Sequence, residues 1–205
     1  MAQKRDTHEQ PLWHVVVVEL LFVAVGVAII YFRDTAGAVA FRLPAGVELA
    51  IGLPAGAVTG LAVGLVLTRS RLRAGVMPMA AALRPVVASP VSIVLTGLLA
   101  GIGEELLFRA ALQPWIGIWW ASLVFGVAHG ATARLSEGAS AGKIVYLMMT
   151  FVAGVLLGLL YRHVGLLGSM SAHAAFDIVL LALLAPFIKA AGVQRSPVPA
   201  TAGMR

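Results

Sequence analysis

The sequence predicts an all-α fold, a polytopic transmembrane helical bundle of about six spans. Of its 205 residues, 60% are hydrophobic and only 12% are charged, a balance that a water-soluble globule does not have. Several apolar runs reach or approach the roughly 20 residues that a helix needs to cross a bilayer. Each run is expected to be helical, because a helix satisfies all backbone hydrogen bonds within its own segment. The chain has no cysteine, which excludes disulfides and thiolate chemistry.

The first apolar run covers 13–32 and has an aromatic residue at each end, as interfacial anchoring predicts. Lys4 and Arg5 precede it, so a signal peptide is an alternative. We expect a span instead, because the run exceeds the roughly 7 to 15 residues of a signal core. The other predicted spans are 47–67, 86–108, 116–133, 144–161 and 166–188.

The Lys and Arg residues fall unequally on the two sides of these spans. One side holds eleven: Lys4, Arg5, Arg69, Arg71, Arg73, Arg84, Arg134, Lys143, Lys189, Arg195 and Arg205. The other side holds four: Arg33, Arg42, Arg109 and Arg162. The positive-inside rule then predicts that both termini are cytoplasmic. We expect an integral, multi-pass protein of a bacterial cytoplasmic membrane. Because the basic residues lie in short loops, they favour topology signals in a lipid bilayer over a nucleic-acid partner.

Small residues recur along the second span. Glycine occupies every fourth position of one helical face: Gly52, Gly56, Gly60 and Gly64. Ridges of this kind let helices approach closely. They predict a tight bundle and carry no information about chemistry.

The third span contains the stretch GIGEELLFRA, which has three charges within six residues. Residues four apart share a helical face, so Glu105 and Arg109 are expected to pair, whereas Glu104 is turned about 100° away from Glu105. The pair neutralises the charge of Glu105 and leaves the Glu104 carboxylate without a partner. An unpaired carboxylate inside a membrane faces a cavity or the bundle interior and marks function. A position in the headgroup region is the structural alternative.

Two further spans carry polar residues at the same predicted depth. Phe125 and His129 are four residues apart in FGVAH, and His173 and Asp177 are four apart in SAHAAFD. Glu104 and His129 lie about equally far from the turn predicted between the third and fourth spans. At about 1.5 Å per residue, Glu104, His129 and His173 all come roughly 12 to 18 Å from the outer ends of their helices. The sequence therefore predicts one polar site near the middle of the membrane.

These motifs resemble those of a known family. EELLFR is similar to the EExxxR motif of the CAAX protease and bacteriocin-processing (CPBP, or Abi) family of intramembrane proteases, FGVAH to its FxxxH motif and HAAFD to its HxxxN or HxxxD motif. All three occur in the family's order and in separate spans. The sequence therefore predicts three regions. Run length and charge predict two spans, a cytoplasmic N-terminus and a basic loop in 1–85, and composition predicts a disordered tail in 191–205; the resemblance implies a CPBP-like catalytic core in 86–190.

The resemblance implies an endopeptidase that hydrolyses a peptide bond in a membrane-associated substrate, of the CAAX type or in peptide processing. Glu104 corresponds to the base that activates water, and His129 to the residue that positions that water. Glu105 and Arg109 would hold the site in shape, with Phe125 supporting it. The implied partner is a peptide or protein, prenylated or otherwise anchored in the membrane.

His173 and Asp177 correspond to the residues that stabilise the oxyanion of the tetrahedral intermediate. Many members have asparagine where this chain has Asp177, and an ionised carboxylate cannot donate to an oxyanion. Either burial keeps Asp177 protonated, or it orients His173, which then acts as the donor. We favour orientation of the imidazole, because a carboxylate partner also fixes its tautomer.

Other interpretations of the polar residues remain open. Glu104, His129 and His173 form a set that catalytic zinc also uses, although the HExxH spacing is absent, and we expect no cofactor. A non-catalytic membrane protein for bacteriocin self-immunity or scaffolding would carry the same motifs. A proton-coupled transporter also buries such groups but usually has an inverted repeat, which this sequence lacks. A bundle whose polar residues serve only packing is the remaining alternative.

Overall fold

The structure is a computed structural model that describes residues 12–69, 83–132 and 141–193. Its elements are α1 (Leu12–Phe32), a 3-10 turn (Ala36–Val39), α2 (Ala45–Arg69), α3 (Pro90–Glu104), a π-helical segment (Glu105–Leu112), α4 (Gln113–Thr132), α5 (Ala141–His163) and α6 (Leu166–Val193). No strand occurs within the described ranges, which confirms the all-α prediction. Most of the predicted basic loop and of the predicted tail lies outside the described residues.

The described chain has five helical stretches long and apolar enough to cross a membrane. One of them, Pro90–His129, has 40 residues, twice the roughly 20 that one crossing needs. It is broken at Gly117, whose φ of 79° is not helical. In an unbroken helix Glu104 and His129 would lie about 37 Å apart, yet their side chains approach to 3.8 Å. The chain therefore reverses at Gly117 and crosses twice, which agrees with the prediction of about six spans.

The third span begins later than the sequence predicts. Ser89 caps α3 by accepting a hydrogen bond from the backbone N–H of Ser92, and the Ser92 side chain accepts one from the N–H of Ser89. Pro90 takes the first helical position, where its missing N–H costs nothing. Val86 and Val87, predicted to open the span, lie in the turn before this cap and are buried in the core.

The glycine ridge of α2 packs against α6, and this is the most extensive helix contact in the fold. A Cβ at Gly56 would overlap the carbonyl oxygen of Ala172, so the two backbones touch there. Gly52 and Gly60 make similarly close approaches to the backbone of α6. The predicted tight packing is confirmed, and it fixes the turn of α6 that carries His173.

Glu48 ties the start of α2 to the start of α6. Its side chain is fully buried and accepts hydrogen bonds from the backbone N–H groups of Arg42 (2.9 Å), Leu43 (3.2 Å) and Gly168 (3.1 Å). A carboxylate at the first turn of α6 is also favoured by the helix dipole. The contact anchors both the 33–44 loop and the N-terminal end of α6.

The first, third and fifth connections meet at one end of the bundle, the end that the charge count predicts to lie outside. Tyr161 donates a hydrogen bond to the carbonyl of Ala38 at 3.0 Å. Asp34, Gln113 and Arg162 line a cavity of about 460 Å³ at this end. In a chain that crosses the membrane six times, the first, third and fifth connections all lie on the same side. We call this end of the bundle the outer end.

Candidate active site

The site is built around the π-helical segment Glu105–Leu112, which begins directly after Glu104. π-helical turns are rare and are frequent at functional sites. The wider turn carries Glu105 and Arg109, and both are fully buried in the bundle. Glu104, the last residue of α3, is also buried, at 7% exposure.

Glu105 has a complete set of partners. Its Oε2 accepts a hydrogen bond from Arg109 Nε at 3.2 Å and another from the hydroxyl of Ser169. Its Oε1 lies 2.9 Å from His173 Nδ1. The predicted ion pair between Glu105 and Arg109 is therefore confirmed, and the same carboxylate also joins the π-helical segment to α6.

Arg109 is a residue of the site and not of an outer loop. It is fully buried, and its guanidinium lies 4.9 Å from the ring centroid of Phe125, in cation–π contact. The sequence count that placed Arg109 among the outer basic residues is wrong, because this charge is compensated within the bundle. The outer side keeps three of the four counted residues, Arg33, Arg42 and Arg162, which sharpens the charge asymmetry.

Glu104 differs from its neighbour. No described residue donates a hydrogen bond to its Oε2, which lies 3.8 Å from His129 Nε2 and 3.8 Å from His173 Nε2. The three motifs thus converge on one point, as their predicted depths require. A separation of 3.8 Å is too long for a direct hydrogen bond and suits one intervening hydrogen-bonding group.

His129 is held by a carbonyl of its own helix. Its Nδ1 lies 3.0 Å from the carbonyl oxygen of Phe125. Because a carbonyl only accepts, Nδ1 carries the hydrogen, and Nε2 of the neutral ring presents a lone pair towards Glu104. The Phe125 ring packs beside this imidazole, with the ring centroids 4.4 Å apart.

His173 is oriented by Glu105, since Glu105 Oε1 is the carboxylate oxygen within hydrogen-bonding distance of Nδ1. Asp177 Oδ2 lies 3.7 Å from Nε2, beyond a hydrogen bond. The prediction that Asp177 orients the imidazole is therefore wrong. Asp177 follows one turn later on the same helix and meets the Nε2 edge, whereas Glu105 reaches the Nδ1 edge from the π-helical segment.

Two residues of the site were absent from the sequence interpretation. Ser169 donates to Glu105 and lies one turn before His173 on the same face of α6, a spacing that could have indicated it. Glu19 of α1 is 5% exposed, and its Oε2 would lie 2.6 Å from a Cβ placed on Gly103. The feature of the sequence that could have indicated Glu19 is a single carboxylate in an otherwise apolar span.

A metal site is not preformed in the described part of the chain, where no group of three or more His, Asp or Glu side chains is arranged to hold an ion. Glu104, His129 and His173 are the donors nearest to such a set. Each imidazole Nε2 is 3.8 Å from the same carboxylate oxygen.

Comparison with known proteins gives two matches. Residues 86–179 match the family model described as type II CAAX prenyl endopeptidase, Rce1-like. The uncharacterized protein YpbD of Bacillus subtilis (strain 168) is 39% identical over 88 residues, a match that spans 42% of this chain and 42% of the relative. No solved structure matches the chain.

The matched segment begins in the turn before α3 and ends in α6. It contains all three motifs and every residue that the sequence predicted for the site, from Glu104 to Asp177. α1 and α2 lie outside it. Residues 86–179, a little less than half of the chain, are thus similar to the Rce1-like family, in agreement with the resemblance of the three motifs.

Proposed function

We propose that this protein is an intramembrane endopeptidase of the CAAX type that uses a glutamate-activated water to cleave a membrane-anchored peptide. The observation that carries the proposal is the Glu104 carboxylate. It is buried, accepts no hydrogen bond from the described residues and faces two imidazole Nε2 atoms at 3.8 Å. A buried polar group that the fold leaves unpartnered is suited to a ligand or a reacting water.

We place the reacting water between these groups. If it lies about 2.8 Å from both Glu104 Oε2 and His129 Nε2, the two contacts meet at an angle of about 85°. Glu104 takes a proton from this water as its oxygen attacks the substrate carbonyl, and His129 holds the water in line. The same carboxyl then delivers the proton to the leaving amine.

His173 is the proposed donor to the oxyanion. Its Nδ1–H is engaged by Glu105, which leaves Nε2 facing the reaction centre. The imidazolium form donates from both nitrogens, and carboxylates lie beside each of them. Asp177, whose carboxylate lies beside Nε2, is proposed to stabilise the charge of this imidazolium and not to donate to the oxyanion itself.

The Glu105 cluster, made of Glu105, Arg109 and Ser169, supports this chemistry. It fixes the Nδ1 edge of His173 on α6 and the start of the π-helical segment. These two elements, which carry His173 and Glu105, therefore keep a constant spacing. Precise placement of reacting groups is a large part of catalysis. The predicted division into a core at 86–190 and an N-terminal region at 1–85 stays a proposal, as does the cytoplasmic placement of both termini.

The test uses the full chain purified in detergent and a set of fluorogenic peptides that end with or without an isoprenyl cysteine. Each is assayed with and without a zinc chelator. We expect prenylated peptides to be cut in the presence of the chelator, and Glu104→Gln to lower turnover by at least about 100-fold. Asp34→Asn, at an exposed carboxylate of the outer end, is the matched control and should retain activity.

Each other outcome revises a particular part of the proposal. Loss of cleavage with the chelator would move Glu104, His129 and His173 to the role of metal ligands. Cleavage of the unprenylated peptides alone would replace the CAAX type by peptide processing. If no peptide is cut, or if Glu104→Gln cuts as fast as the wild type, the enzyme assignment fails and self-immunity or scaffolding becomes the leading hypothesis.

A further inference from the structure

Glu19 lies in α1, outside the residues that match the family. It is the only Asp, Glu, Lys or Arg in α1 and is 5% exposed. No described residue forms a hydrogen bond with its buried Oε2. A buried carboxyl group without a partner opposes folding, so its presence calls for a reason other than stability.

The carboxyl group of Glu19 lies beside Gly103, the residue that precedes Glu104. It packs against the backbone of Gly103, where an added Cβ would come within 2.6 Å of Oε2 and 2.8 Å of the Glu19 carbonyl oxygen. Glycine at this position therefore lets α1 approach the residue that precedes Glu104. Glu19 Oε2 and Glu104 Oε2 are both buried, and neither has a hydrogen-bond partner among the described residues.

The other charged groups of the site are already engaged. On the π-helical segment that packs against α1, Glu105 and Arg109 form a buried ion pair in which Arg109 Nε donates to Glu105. On α3 the facing group is Glu104, whose own Oε2 has no hydrogen-bond partner among the described residues. Two neighbouring carboxyl groups in an apolar site avoid the cost of a double charge when one keeps its proton and donates it to the other in a hydrogen bond.

We propose that Glu19 is a positioning residue of the active site, whose carboxyl group shares a proton with Glu104 and holds that carboxylate against the two imidazoles. This inference rests on the proposed function. It extends the functional unit beyond residues 86–179 to the first transmembrane helix. It also explains why α1 carries a buried acid at the level of Gly103.

Glu48 provides the matched control. It is likewise a buried glutamate of the first two helices, but three backbone N–H groups donate to it, so its carboxylate stabilises the fold. Replacement of a buried ionisable group by a leucine of similar size leaves stability unchanged or raises it when that group has no donors, and lowers it when donors are left unpaired. The two glutamates should therefore respond in opposite ways.

The experiment compares Glu19→Leu, Glu19→Gln and Glu48→Leu in the full chain, reconstituted in nanodiscs, by Tm and by peptide cleavage. We expect Glu19→Leu to keep or raise Tm while kcat falls about 10- to 100-fold with little change in KM. Glu19→Gln, whose amide can still donate to Glu104, should recover part of the lost kcat. Wild-type kcat in Glu19→Leu, or a fall in Tm as large as that of Glu48→Leu, would overturn the inference.

A second measurement does not depend on a substrate. Glu19→Leu, Glu104→Leu and the double variant form a thermodynamic cycle, and groups in contact are expected to give a Tm shift that differs from the sum of the single shifts. Additive shifts would show that the two carboxyl groups do not interact, and the inference would fail. A wild-type protein that cuts no peptide would refute the proposed function, and the cycle would still decide the role of Glu19.

Discussion

At the outer end of the bundle, the buried carboxylate of Glu48 accepts hydrogen bonds from three backbone N–H groups. In the interior, the buried carboxylate of Glu104 has an oxygen to which no described residue donates, and two imidazoles face it at 3.8 Å. Both side chains are glutamates in apolar helices, and both are less than a tenth exposed. The difference lies in their partners.

The comparison shows that burial alone does not mark a catalytic residue. A carboxylate with all its donors in place has low energy and holds elements together, as Glu48 holds the 33–44 loop to α6. A carboxylate left without donors has a higher energy, which the rest of the fold must offset. Glu104 and Glu105 repeat the contrast within one dipeptide, because Glu105 carries the partners that Glu104 lacks.

The largest expected effect follows from taking the main partner away from Glu105. Arg109→Met would leave a fully buried carboxylate without its cation, and we expect it to lower the free energy of unfolding by about 3–5 kcal/mol. Thermal unfolding in detergent measures this, with Arg162→Met at an exposed position of α5 as the control. An Arg109→Met protein as stable as the control would show that the pair does not hold the site together.

A smaller effect is expected where α2 supports His173 through Ala172. Gly56→Ala forces the α2 and α6 backbones apart, which should cost about 1–3 kcal/mol of stability and lower kcat as the imidazole moves. Gly46→Ala is the matched control, because a Cβ there meets no atom within 4 Å. Equal Tm and kcat for the two variants would contradict the close packing of α2 on α6.

The smallest effect is expected when Glu105 loses one hydrogen-bond donor but keeps its cation. Ser169→Ala deletes one donor, and we expect a loss of about 1 kcal/mol of stability with a modest fall in kcat. Thr59→Ala removes an exposed hydroxyl that bonds only within its own turn and should be nearly neutral. If Ser169→Ala is equally neutral, the hydroxyl does not contribute to the Glu105 cluster.

The sequence alone was enough to predict the crossings and the convergence of the motifs. Apolar run length locates each span, and the equal distance of Glu104 and His129 from the turn places them at one depth. The pairing of Glu105 with Arg109 follows from a separation of four residues. Each of these inferences needs only distance along the chain.

The contacts between helices could not be predicted in the same way. Whether His173 Nδ1 meets Glu105 or Asp177 depends on how α6 is rotated against the π-helical segment, and no spacing within one helix fixes that rotation. The π-helical segment itself has no residue signature comparable to a cap or a proline. Glu19 was overlooked because its partner residue, Gly103, lies 84 positions later in the chain.

The most direct test of the contrast between the two regions measures Tm and kcat for Glu104→Gln and Glu48→Gln side by side. For Glu104→Gln we predict a Tm close to that of the wild type and a kcat at least about 100-fold lower. For Glu48→Gln we predict a loss of about 1.5–3 kcal/mol of stability, with kcat retained in the folded protein. A Glu104→Gln protein that keeps its turnover, or that loses as much stability as Glu48→Gln, would contradict the account.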